Sequence, residues 1–181
     1  MFISQQLRKN NIAEYLLYMW QVEDTIRAFG CSLARIKREY IDKFDYTEEQ
    51  KEELTDWYGH LIRMMNEEGC REAGHLQINK VTMMNLEELH ARLLQSPKFP
   101  FYNAAYYKVL PFIVELRNRG ANKEENEIET CFDALYGVMM LRLQKKPITP
   151  NTEHAVKEIT TLVGMLSDYY KKDREEPLEF E

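Results

Sequence analysis

Two Glu-x-x-His pairs, Glu72 to His75 and Glu87 to His90, have the residue types and spacing to bind a metal. A carboxylate and an imidazole three residues apart share one face of a helix, and helical bundles use that pair as metal ligands. A di-metal centre needs the two motifs on facing helices, with a further Glu from each of two others. His75 and His90 instead read as parts of one helix, about 22 Å apart at ~1.5 Å rise per residue. One centre cannot take both, so no metal and no cofactor is expected, and the pairs read as helix-surface neighbours.

A more informative carboxylate is Glu23. In the stretch Asn11 to Phe29, the residues Ile12, Tyr15, Leu16, Met19, Val22 and Ile26 recur at the spacing of one helix face. Glu23 falls inside that apolar arc. A carboxylate there is costly unless it is paired or protonated. Its local option is Arg27, four residues on. Its wider option is a polar cluster with Glu68, Arg71, Glu72 and His75, where an extended third helix turns polar, and with Asn85 and Arg92 on the inward arc of the fourth. Arg27, Arg71, His75 and Arg92 are the candidate basic partners. Such a cluster reads first as structural; a small-molecule site is the alternative, because perturbed titratable groups gather in pockets.

The helices that must carry these groups follow in order. Asn10 or Asn11 can cap the first, and Gly30 followed by Ser32 breaks it from a second that carries Leu33, Ile36, Tyr40, Ile41 and Phe44. A single long helix through Gly30 is the less economical reading. Thr47 with Gln50 forms a capping-box pattern opening a third helix, with Leu54, Trp57, Tyr58, Leu61, Ile62 and Met65 inward. Gly69 and Gly74 bracket a break, and a fourth helix to about Ser96 carries Ile78, Val81, Leu89 and Leu93 inward. The prolines of residues 96–101 make the clearest loop. A fifth helix from about Tyr102 to Arg119 contains Pro111 and should kink there. Gly120 to Asn122 end it, and Asn122 with Glu125 can start a sixth, carrying Ile128, Cys131, Phe132, Leu135, Met139 and Leu143. Thr149-Pro150 opens a seventh, with Val156, Ile159, Leu162, Val163, Leu166 and Tyr170 inward.

No useful segment alternates with period two. The fold expected is all-α: a single-domain bundle of six or seven mostly antiparallel helices with short connections over residues 1–172, followed by a frayed acidic tail at 173–181.

Charge and composition narrow the function. With 24 Lys and Arg against 30 Asp and Glu, the net charge of −6 argues against a general grip on nucleic acid. No stretch is apolar enough for a signal peptide or a membrane span. Three widely spaced cysteines, Cys31, Cys70 and Cys131, suggest neither disulfides nor a zinc site, and a cytoplasmic location is expected. Nucleophilic and nucleotide motifs are missing, so the chain does not read as an enzyme. Phe99, Phe101 and Tyr107 are candidates for an exposed aromatic patch joining two copies or a protein partner.

At NIAEYLLYMWQVEDTIRA (11–28), EAGHLQINK (72–80) and NEIETCFDALYGVMMLRLQKK (126–146), the chain resembles a bacterial family catalogued only as a domain of unknown function. That resemblance implies an all-helical single domain and a bacterial source, and brings no substrate, cofactor or catalytic residue. The function expected is thus a non-catalytic interaction or scaffolding module, with a ligand-binding or enzymatic bundle near Glu23 as the alternative.

Overall fold

A computed structural model describes residues 1–119 and 125–181. Among the described residues there are eight α-helices, one 3-10 turn and no strand, one or two helices more than the apolar spacing suggests. The added helix is α1, Phe2–Asn10, a polar segment with too few apolar residues to show a stripe. The others are α2 (Ile12–Ala28), α3 (Leu33–Glu39), α4 (Glu48–Glu67), α5 (Gln77–Gln95), α6 (Pro100–Asn118), α7 (Glu127–Leu143) and α8 (Pro150–Glu175). The chain divides into two compact units: Met1–Lys9 with Glu14–Val81, and Asn10–Ala13 with Thr82–Glu181.

In the first unit, the core face of α2 is the one its spacing requires, with Tyr15, Leu16, Met19, Val22 and Ile26 all buried. The helix stops at Gly30, whose φ of +64° lets Cys31 N–H return to the Ile26 carbonyl at 2.9 Å. Ser32 then caps α3, accepting from Arg35 N–H, and a single 3-10 turn at Ile41–Lys43 ends that arm sooner than one helix through Phe44. The Thr47–Gln50 capping box opens α4, which packs on α3 and buries Leu54, Tyr58, Leu61, Ile62 and Met65. It ends as α2 does: Gly69 at φ +69° turns the chain and Cys70 N–H bonds the Met65 carbonyl at 3.0 Å. The stripe therefore never reaches Glu68 and Glu72, and both are exposed.

In the second unit, α6 and α7 pack on α8. Thr149 caps α8 with Pro150 in its first turn, and Val156, Ile159, Leu162, Val163 and Leu166 are buried. Asn126, not Asn122, caps α7; Gly120 to Asn122 lie outside the described residues. Ser167 donates to Asn11 Oδ1 at 2.9 Å and accepts from Ala13 N–H, which ties down the entry of α2. The tail expected from residue 173 starts as helix to Glu175, and Phe180 beyond it contacts Phe99 at 5.4 Å between ring centroids.

The largest correction is the rotation of α5. Asn79, Thr82, Met83, Leu86, Leu89, His90 and Leu93 are buried, while Ile78, Val81, Asn85 and Arg92 are exposed. The apolar pair Ile78 and Val81 sets a misleading register. The true inner stripe holds polar side chains that find partners, one step of about 100° round the helix.

Candidate functional site

Glu23 is 0% exposed, and its carboxylate accepts three hydrogen bonds within the first unit. His75 Nδ1 lies 2.6 Å from Oε2; Leu76 N–H and Asn79 Nδ2 donate to Oε1 at 2.9 and 2.7 Å. The Leu76 carbonyl accepts from the amides of Asn79 and Lys80, which makes Leu76 the residue that starts α5. Gly74, His75 and Leu76 offer no short polar side chain to cap it. Glu23 and Glu68 supply that role from outside, the latter accepting Gln77 N–H at 2.6 Å. Carboxylates suit a helix start, where free N–H groups and the aligned peptide dipoles favour negative charge.

His75 stacks on Trp20, with ring centroids 4.3 Å apart and planes 15° from parallel. Its side chain is 29% exposed, so the imidazole bridges the buried carboxylate and the surface. Arg27 does not pair with Glu23. Its guanidinium binds Asp24 Oδ1 at 2.8 Å, the Cys70 carbonyl at 3.0 Å and the Gly74 carbonyl, strapping the loop that delivers His75. Of the residues expected to gather here, then, Glu23, Arg27, His75 and Glu68 meet around the start of α5, with Glu68 on its exposed side. Arg71 and Glu72 lie exposed on the intervening loop. Arg92 belongs to the second unit, where it faces Asp173 at 3.7 Å. Residue types alone do not identify Asn79 and the Leu76 amide as partners: one lies outside the stripe set by Ile78 and Val81, the other is backbone.

The second unit holds a separate polar group. His90 is 5% exposed, with Tyr102 Oη 2.7 Å from Nδ1. Tyr102 O–H donating to Nδ1 satisfies both groups and leaves the ring proton on Nε2. That nitrogen has no hydrogen-bond partner and stands 3.9 Å from Glu127 Oε2, which instead accepts from Tyr106 O–H at 2.8 Å. Burial lowers the His90 pKa, against a smaller opposing pull from Glu127. Burial first and the Glu127 carboxylate second push Tyr106 up to about 12. The Cys131 thiol is likewise pushed to about 12 by burial and then by Glu127. Burial, followed by the charges of Glu23 and Glu68, also raises Cys70. A nucleophilic thiol needs the opposite shift.

The Glu-x-x-His pairs do not survive as ligand motifs. Glu72 and His75 precede α5, so they lack helical spacing, and the two histidines lie in different units. Among the described residues no three His, Cys, Asp or Glu side chains converge to hold a metal ion. No described helix is long and apolar enough to cross a membrane.

Of the aromatic trio, Phe99 is buried against Tyr169 and Phe180, because it covers the end of α8 instead of facing outward. Phe101 and Tyr107 are 81% and 66% exposed. With Ala104, Pro111 and Val114, also exposed, they lie along one face of α6, inside an arc of about 140° at ~100° per residue that they share with exposed Lys108, Glu115 and Asn118. α6 runs through Pro111 as one helix, with the proline on this exposed face.

Over residues 1–177 the sequence matches the family described as "Domain of unknown function (DUF4924)". No curated protein and no solved structure matches the chain.

Proposed function

The chain belongs to this family, whose function is unassigned, and we propose that it is a non-catalytic helical interaction module whose contact surface is the outer face of α6. The observation that carries the reading is the stripe Phe101, Ala104, Tyr107, Pro111 and Val114: five exposed, largely apolar residues on one helix face. Exposed aromatic residues anchor interfaces, and the charged Lys108 and Glu115 on the same face would serve as the polar rim around them. A second copy is the partner proposed. Sedimentation velocity should then show a concentration-dependent dimer that Phe101→Asp weakens by at least about tenfold, the effect of a lost aromatic anchor. A monomer at high concentration, or a dimer indifferent to the substitution, overturns this reading.

Two finer statements go with it. We take residues 1–172 as one folding domain of mostly antiparallel helices; the single family match across both compact units supports this, and one cooperative unfolding transition tests it. We place the protein in the cytoplasm, in keeping with the free thiols of Cys31, Cys70 and Cys131.

One observation favours a second reading, a small-molecule site at Glu23. Glu23 fixes His75 by Nδ1, so in its neutral form the ring presents an oriented Nε2 lone pair from a partly exposed side chain. Asn79 Oδ1 nearby is buried and has no hydrogen-bond partner. Native mass spectrometry finding a co-purifying small molecule that is lost in His75→Ala would support it; an unloaded protein leaves the first reading in place.

A further inference from the structure

Past the end of α8, the segment Leu178 to Glu181 lies in a seat built by the end of α5 and the loop before α6. The Arg92 guanidinium stands 4.0 Å from the centre of the Phe180 ring, and the Phe99 ring lies tilted against it, 5.4 Å between centroids. Ser96 Oγ donates to the Phe180 carbonyl at 2.7 Å. Lys98 Nζ lies 3.5 Å from Glu179 Oε2. The seat thus presents two cations and an aromatic wall to a segment reading Leu-Glu-Phe-Glu, which offers an aromatic ring flanked by carboxylates. Cation–π contact and charge complementarity select that pattern.

What joins this segment to α8 is short. Glu176 ends the helix, and Pro177, lacking an N–H, cannot extend it. A hydrogen bond from Leu178 N–H to Asp173 Oδ1, at 2.8 Å, steadies the turn. The seat is filled by its own chain, and its contacts with the segment are made to Glu179 and Phe180, beyond the turn.

We propose that the seat formed by Arg92, Ser96, Lys98 and Phe99 is an exchangeable docking site, and that its second occupant is the Leu178–Glu181 segment of another copy of this chain. Exchange of an identical element leaves the contact set unchanged and alters only its connectivity. Docking within one chain is favoured at low concentration, because a short tether holds the segment at a millimolar effective concentration. The proposal concerns a surface distinct from the α6 stripe and does not depend on it.

Complementation between two full-length variants tests it. Phe180→Ala keeps the seat and disables the segment; Arg92→Glu keeps the segment and disables the seat. Adding unlabelled Arg92→Glu to isotope-labelled Phe180→Ala at up to about 1 mM, the scale set by the tether, should shift the amides of Ser96 to Phe99 in a saturable way. Unlabelled chain carrying both substitutions should not. Far-UV circular dichroism confirms that each variant is folded, and Arg92→Ala replaces Arg92→Glu if the new charge unfolds the end of α8. No shift at these amides, or the same shift with the doubly substituted chain, overturns the proposal.

Discussion

The two polar groups of this protein are built from the same residue types with the inside and outside reversed. Around Glu23 the carboxylate is fully buried with three donors, and its histidine reaches the surface. Around His90 the histidine is buried with one satisfied nitrogen, and its carboxylate, Glu127, is 31% exposed. What separates them is the supply of donors. The start of α5 brings a free backbone N–H and an asparagine to Glu23, so burial there is compensated. His90 receives one tyrosine hydroxyl, and its other nitrogen falls short of Glu127 at 3.9 Å. Burial without compensation drives a histidine to its neutral form.

The contrast is tested most severely by Glu23→Ala. It strands an imidazole, an amide side chain and a helix-start N–H together, so a loss of about 3–5 kcal/mol is expected. Glu14→Ala, at an exposed position on the same helix, should cost under about 0.5 kcal/mol. Denaturant unfolding that places the two variants within that margin of each other would remove Glu23 from any organising role. Next in size is Arg27→Ala, which frees the carbonyls of Cys70 and Gly74 and slackens the loop carrying His75. About 2 kcal/mol is expected for charge-assisted bonds of this kind, with faster amide exchange over residues 70–76 as the signature.

In the other group, Tyr102→Phe removes the donor to His90 Nδ1, and a neutral hydrogen bond predicts a cost near ~1 kcal/mol. It should also make His90 easier to protonate, because a protonated Nδ1 no longer displaces the hydroxyl proton. An NMR titration of the ring carbons that moves downward in the variant contradicts this tautomer. The smallest effect is on pH dependence. His90 has a folded pKa below its unfolded value of about 6.5, so as pH falls through that value the unfolded chain binds the proton first. Its contribution to stability is full above the unfolded pKa and is lost as pH falls toward the folded one. His90→Gln should flatten that part of the stability–pH curve; an unchanged slope assigns the acid sensitivity elsewhere.

Much of this architecture could be read from residue types alone. The apolar face of α2 with Glu23 set into it, the capping box at Thr47 and the Thr149-Pro150 start each depend on neighbours within one turn. What escaped reading depends on groups remote in sequence. The inner face of α5 carries Asn79 and His90, whose burial is sensible only once Glu23 and Tyr102 stand beside them. Ile78 and Val81 set a register turned the other way, which also carries Asn85 and Arg92 inward. Extending the α4 stripe places Glu68 and Glu72 inward, but Gly69 cuts that stripe off. Phe99 reads as an exposed aromatic from its neighbours alone, because its cover, Phe180, lies 81 positions further on.

The remote capping of α5 has a consequence in time. Its first turn has no starting residue of its own; the group that completes it lies 53 positions earlier in the chain. The middle of α5 can become helical as a local event, whereas its beginning must wait for a long loop to close. Pulse-labelled hydrogen exchange during refolding should therefore find the amide of Leu76 protected later than those at the centre of the same helix. One continuous rod in the finished molecule would then have two ages, its first turn as old as the fold and no older.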